Sequence, residues 1–264
     1  MSVVSRGAYR VVILPGLAGC EAEWIAVTTE LDVPAEVVAS AVPGFLPAPS
    51  LEHVVDAAEA VLDASPEPVV VVAQSMGAMP AEALAMRRPD RLAGMVLADP
   101  SVEPSPARWT AALAPGAESL GSVAGRLPEA VTARLGLAFR RATIRFGAQT
   151  ADPLDRDAIL RAFGTPAALA AQVRGFGRYY RWAVELADLR YDVLLRKDAA
   201  LTLPTRLLVA ADSRAESVRH QHWLAARFRP HAEIFLVEGS RHLMHLDRPD
   251  VVRDAVRAVL AARS

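Results

Sequence analysis

The stretch Val69-Val70-Val71-Val72-Ala73-Gln74-Ser75-Met76-Gly77-Ala78 decides the fold. Four consecutive valines follow Pro68 with no polar alternation. A run that is apolar at every position fits a strand covered on both faces, the state of a central strand in a parallel sheet. The run stops at Gln74-Ser75, and from Met76 to Arg88 the apolar spacing turns helical, with Pro80 near the helix start and Pro89 closing it. Small residues at 73 and 77 leave room for a tight turn between strand and helix. Such a turn exposes Ser75 at the carboxyl edge of the sheet, where a helix N-terminus offers N–H groups and the positive end of its dipole. The spacing is that of G-x-S-x-G, in which the serine takes a strained backbone geometry, with Ala73 in place of the first glycine. The competing reading is a serine that caps the helix.

The same alternation extends to both sides. Upstream, Tyr9-Arg10-Val11-Val12-Ile13-Leu14 is a β-branched apolar run cut off by Pro15-Gly16. A helix over 21–31, a strand over 35–42 closed by Pro43-Gly44, and a helix over 51–64 follow. Downstream, Leu92–Ala98 reads as a strand ending at Asp99-Pro100. The next hundred residues contain no convincing strand and several helical stretches, at 129–146, 156–163 and 166–189. Strand and helix alternate again from Thr205–Ala210 through 216–228 and 232–237 to a last amphipathic helix at 248–262. Six strands alternating with helices predict an α/β fold with a doubly wound, mainly parallel sheet, because parallel neighbours need crossover connections. The expected division is a core of residues 1–100 and 201–264 carrying an inserted helical cap at 101–200.

Composition narrows the partners. The 264 residues are 52% hydrophobic and 22% charged, a globular balance, and the 6% aromatic share is low for a carbohydrate or nucleic-acid stacking surface. Basic and acidic residues nearly cancel, 29 against 30, so no global field draws the chain to nucleic acid or anionic lipid. Small-molecule partners are expected; the oligomeric state stays open. The single cysteine, Cys20, excludes an intrachain disulfide and reads as a small packed residue. No apolar run approaches the roughly 18 residues of a membrane span, and residues 1–7 lack an apolar signal segment. A cytoplasmic location is expected.

A serine hydroxyl needs a base to take its proton. Of six histidines, His242 lies between the last strand and the last helix, at the same sheet edge as Ser75. His245 reads as a packing or capping residue. His53, His220, His222 and His231 read as surface residues. No G-x-G-x-x-G follows a strand and no Cys/His cluster is present, so no metal, nucleotide or flavin is expected.

With Leu14-Pro15-Gly16-Leu17, Gln74-Ser75-Met76-Gly77, Gly239-Ser240-Arg241-His242 and Leu246-Asp247-Arg248-Pro249 in this order, the chain resembles the α/β-hydrolase superfamily over nearly its whole length. The short N-terminus implies that the antiparallel strands which often open the family's sheet are missing or vestigial. The resemblance implies a nucleophile at Ser75, a base at His242, and an oxyanion hole made by the backbone N–H groups of Leu17 and Met76. Relatives commonly carry the catalytic acid where this chain has Ser213. Asp212, one residue earlier, is the preferred candidate, Asp99 the alternative, and Glu216 a distant third.

Aromatic residues concentrate in the expected cap, and Trp109, Phe176, Tyr179 and Tyr180 are the candidate substrate-binding side chains. The leading expectation is a serine-dependent hydrolase of a small, fairly apolar ester, lactone or thioester. The alternatives are a non-hydrolytic lyase or cyclase on the same fold, and a ligand-binding protein with an incomplete catalytic set.

Overall fold

A computed structural model of the chain describes residues 9–17, 19–37, 50–64, 66–196, 202–229 and 231–262. Six strands form one sheet: β1 (Arg10–Leu14), β2 (Ala35–Val37), β3 (Val69–Gln74), β4 (Leu92–Ala98), β5 (Thr205–Ala210) and β6 (Glu233–Val237). Their order is β2-β1-β3-β4-β5-β6, and every pairing is parallel. The family's opening antiparallel strands are absent among the described residues. Residues 38–42 of the expected second strand lie outside them.

Period-two alternation sorts each central strand between two apolar layers. Val12, Leu14, Val69, Val71, Ala73, Met95, Leu97, Leu207 and Val209 point into one of them. There they meet α2 (Leu51–Asp63), α3 (Ala78–Arg87) and α8 (Ala215–Phe228). Val11, Ile13, Val70, Val72, Val96, Ala98, Leu208 and Ala210 point into the other, against Trp24 and Val27, with Val27 on the short α1 (Ile25–Thr28). That layer is closed by Met244 on α9 (Met244–Asp247) and by Val252, Val256 and Val259 on α10 (Pro249–Ala261). The valine run of β3 is therefore buried at all its positions because both sides of the strand are covered.

β2 lies on one side of β1 and β3 on the other, so the winding reverses between β1 and β3. In open α/β sheets a crevice forms at such a reversal, outside the carboxyl ends of the strands. The segments that leave these two strands are Pro15-Gly16-Leu17 and Ser75-Met76-Gly77.

Between β4 and β5 the chain is helical: a 3-10 segment Arg108–Leu113, then α4 (Ala114–Ala124), α5 (Glu129–Gly147), α6 (Arg156–Phe163) and the 31-residue α7 (Pro166–Arg196). The sequence reading does not anticipate α4, whose Pro115, Gly116, Ser119, Gly121 and Ser122 weaken the helical pattern. It folds as a helix by burying the small residues Ala114, Gly121 and Ala124, with Gly121 and Gly125 against Ala170 of α7. The helical reading of 21–31 is cut short to a 3-10 turn, Glu21–Trp24, and the single turn of α1.

Two buried ion clusters fasten this insertion to the sheet domain. Arg140 of α5, 1% exposed, donates twice to Asp152, at 2.7 and 2.6 Å, and also pairs with Glu23. Arg190 of α7 donates twice to the fully buried Glu82 of α3, at 3.1 and 2.7 Å. Removing one partner of a buried pair leaves the other charge uncompensated. Arg140→Ala is therefore expected to cost about 3–5 kcal/mol in urea unfolding, well above the cost of an exposed arginine.

Candidate active site

Ser75 sits between β3 and α3 with φ +52°, a left-handed geometry that a residue with a Cβ rarely adopts. Two neighbours require glycine. A Cβ on Gly77 would meet the Leu14 and Pro15 carbonyl oxygens at 2.1 and 2.5 Å, so the turn can press against the end of β1 only without a side chain there. A Cβ on Gly16 would meet Gln74 Oε1 at 2.3 Å and Ser75 Cβ at 2.9 Å, so the loop after β1 approaches the serine through the same economy. The Ser101 N–H donates to the Ser75 carbonyl at 3.0 Å and fastens the turn from the β4 side.

The Ser75 hydroxyl lies 2.7 Å from His242 Nε2, and His242 Nδ1 lies 2.7 Å from Asp99 Oδ2. With Nδ1–H donating to the carboxylate, Nε2 is left to accept the serine proton. His242 is half-exposed, with 42% of its side chain accessible, while Asp99 is 1% exposed. Gln74 Nε2 donates to the His242 carbonyl at 2.9 Å, so the residue preceding the serine also holds the histidine loop. Asp99 ends β4 with φ +43°, a second left-handed residue at the same sheet edge. Burial alone would raise its carboxyl. Hydrogen bonds from His242, Gln221 and the Ala210 N–H, with the His242 charge, outweigh burial and hold it below the ordinary 3.8.

The structure thus brings Ser75, His242 and Asp99 together and leaves out Asp212, the acid preferred from sequence. β5 ends at Ala210, and the following turn leaves Asp212 exposed, accepting from Gln149 Nε2 of the helical insertion. One residue on, Ser213 turns inward, and its hydroxyl donates to Asp99 Oδ2 at 3.0 Å. A shift of the loop that would aim Asp212 at the imidazole does not occur. Glu216, the distant third, pairs with His220 at 4.0 Å on α8.

Above the serine lies a cleft of about 390 Å³. Core residues Leu17, Gln74, Ser75, Met76, Ser101, His242 and Leu243 form its base. Phe139 and Thr143 of α5 and Phe176, Tyr179 and Tyr180 of α7 line it from the helical insertion. Leu17 and Met76, the expected oxyanion donors, both border it. Trp109 does not: it stands 70% exposed on the 3-10 segment before α4, and the expectation that it lines the site is corrected. Sequence reasoning missed Ser101, whose hydroxyl is 3.3 Å from that of Ser75, and Phe139 and Thr143; one turn apart on α5, the latter two share a helix face. Among the described residues no group of three His, Cys, Asp or Glu side chains is placed to hold a metal ion, and no helix is long and apolar enough to cross a membrane.

The sequence model of the alpha/beta hydrolase family matches residues 11–255, and the chain belongs to that family. Solved structures share the fold at low identity. An esterase from Thermogutta terrifontis, with malate bound, is 19% identical at a TM-score of 0.67, covering 97% of this chain and 91% of its own. A loop variant of a haloalkane dehalogenase from Bradyrhizobium elkanii is 17% identical at 0.67, covering 98% and 90%. The N-formylmaleamic acid deformylase of Pseudomonas putida S16 is 20% identical at 0.57, covering 95% and 92%. No curated protein matches the chain.

His245, three residues beyond the imidazole of the site, is 2% exposed and stacks on Trp24 with ring centroids 4.3 Å apart and planes 6° from parallel. Burial, then the nearby His242 and Arg140 charges, push its pKa from 6.5 down to about 3. The unfolded chain takes up this proton as pH falls through about 6.5, but the folded chain does not until about 3, so stability that is complete above 6.5 declines between these values. At pH 5 the loss from this one group is about 2 kcal/mol. His245→Phe keeps the stacked ring without the titration. Urea unfolding of the two proteins at pH 7.5 and 5 is expected to show a smaller drop in the variant by about that amount; equal drops would contradict the assignment.

Proposed function

We propose that the protein is a serine-dependent hydrolase of small, uncharged, fairly apolar esters, lactones or thioesters that works through an acyl-enzyme. The observation that carries this reading is the hydrogen-bonded line Asp99–His242–Ser75 at 2.7 Å per link. In the reaction Ser75 Oγ attacks the substrate carbonyl while His242 Nε2 takes its proton. The Met76 and Leu17 N–H groups stabilise the oxyanion, and the imidazolium returns the proton to the leaving group. Water, deprotonated by the same imidazole, then releases the acid. Asp99 fixes the Nδ1–H tautomer and stabilises the imidazolium.

The lining of the cleft supports the substrate class. Among the described residues its lining includes no Asp, Glu, Lys or Arg, while Leu17, Met76, Phe139, Phe176 and Leu243 provide apolar surface. A charged substrate would lose its hydration there without a counter-ion. The Asp99 carboxylate 2.7 Å from His242 Nδ1 supports this reading over a binding protein with an incomplete catalytic set.

A fluorophosphonate probe is expected to label the native protein and not Ser75→Ala. Hydrolysis of p-nitrophenyl butyrate is expected to fall by about 10³–10⁴ in Asp99→Asn, the scale on which serine hydrolases lose rate when the tautomer is no longer fixed. Asp212→Asn is expected to stay within about threefold of the native rate, since exposed substitutions away from the site have small effects. A native protein that resists the probe, or an Asp212→Asn protein that is inactive, would defeat the reading.

A further inference from the structure

The carboxylate of Asp99 collects more donors than one imidazole supplies. Oδ1 accepts from the Ala210 N–H at 3.2 Å and from Gln221 Nε2 at 2.9 Å. Oδ2 accepts from Ser213 Oγ at 3.0 Å and from His242 Nδ1 at 2.7 Å. Three of these donors, Ala210, Ser213 and Gln221, come from the end of β5, the turn after it and α8, so one segment of chain grips the carboxylate from behind. Among the described residues, His242 is the one titratable side chain bonded to it.

Gln221 is fully buried. Its amide nitrogen serves Asp99 and also Ser217 Oγ at 3.2 Å, while its Oε1 has no partner among the described residues. An unpaired buried amide oxygen is destabilising, and an apolar side chain of the same shape would avoid it. What the amide provides lies at its other end, where its nitrogen donates to an ionised carboxylate, the stronger kind of hydrogen bond.

We propose that Ser213 and Gln221 are positioning residues of the site. They fix the plane of the Asp99 carboxylate so that Oδ2 meets His242 Nδ1, and they keep that carboxylate ionised while a proton passes through the imidazole. Neither lines the cleft or touches a reacting atom; both act through Asp99. The inference rests on the proposed serine chemistry for its purpose but not for its measurement. Ser213 also stands where relatives commonly carry the acid, so the loop after β5 serves the carboxylate here without supplying it.

Three variants separate the roles: Gln221→Met keeps the bulk and removes the donors, Ser213→Ala removes the hydroxyl, and Ser213→Thr keeps it. The Asp99 carboxyl, followed by carbon-13 NMR and assigned with Asp99→Asn, is expected to titrate at least about half a pH unit higher in Gln221→Met and Ser213→Ala. Ser213→Thr is expected to match the native protein. In p-nitrophenyl butyrate hydrolysis the two donor-deleting variants are expected to lose about tenfold in kcat at unchanged KM, the signature of an effect confined to the reacting state. An unchanged Asp99 titration in both, or a Ser213→Thr protein that behaves like Ser213→Ala, overturns the proposal. Should Gln221→Met fail to fold, Ser213→Ala decides alone, because its side chain sits half-buried in a turn. The titration requires no turnover, so failure of the positioning role and failure of serine labelling are read separately.

Discussion

The backbone at Ser75 is the constraint on which the site depends. A non-glycine residue at φ +52° is strained by roughly 1–3 kcal/mol, and it persists only where its surroundings over-determine it. Here they do so from three sides. Gly77 lets the turn press on the carbonyls that end β1, Gly16 lets the neighbouring loop close on Gln74 and Ser75, and the Ser101 N–H holds the Ser75 carbonyl from β4. Asp99, one strand over, is turned the same way at φ +43°. Two adjacent strands thus end in left-handed residues, and each kink carries a side chain off the sheet edge towards one imidazole.

The strain is tolerable because the strands behind it are rigid. β3 and β4 are buried throughout and packed on both faces. The charges of the molecule serve the same end. Arg140 and Arg190 are satisfied by Glu23, Asp152 and Glu82 and fasten the helical insertion, while the cleft itself is lined by neutral and apolar groups beside a single histidine. The buried ion pairs and the apolar cleft lining lie in different places.

The fold was legible in the sequence because its signals are local. A valine run, a proline-glycine stop and a 3.6-residue apolar stripe each report their own element, and they place Ser75 and His242 at one edge without knowledge of distant contacts. α4 was not legible, because its helical state comes from small residues packing on α7 rather than from propensity. The acid was misplaced for a related reason. Asp99 and Asp212 both follow a strand, and only the direction of a turn separates a side chain that faces the imidazole from one that faces solvent. Ser213 carried the missing information: a hydroxyl in the position of an acid needs an acid to bond to. Trp109 failed as a pocket residue because aromatic content reports a hydrophobic region and not which of its rings face inward.

The site also divides along the chain. Ser75 and Asp99 follow the two strands of one crossover unit, β3–α3–β4, so the backbone positions of the hydroxyl and the carboxylate come from a short, contiguous piece of polypeptide, while the donors that hold the carboxylate come from beyond it. Only the imidazole comes from far away, carried by the loop that follows β6. The serine and the carboxylate are joined only through that ring, so the hydrogen-bonded line exists only when the loop after β6 is seated on the sheet edge.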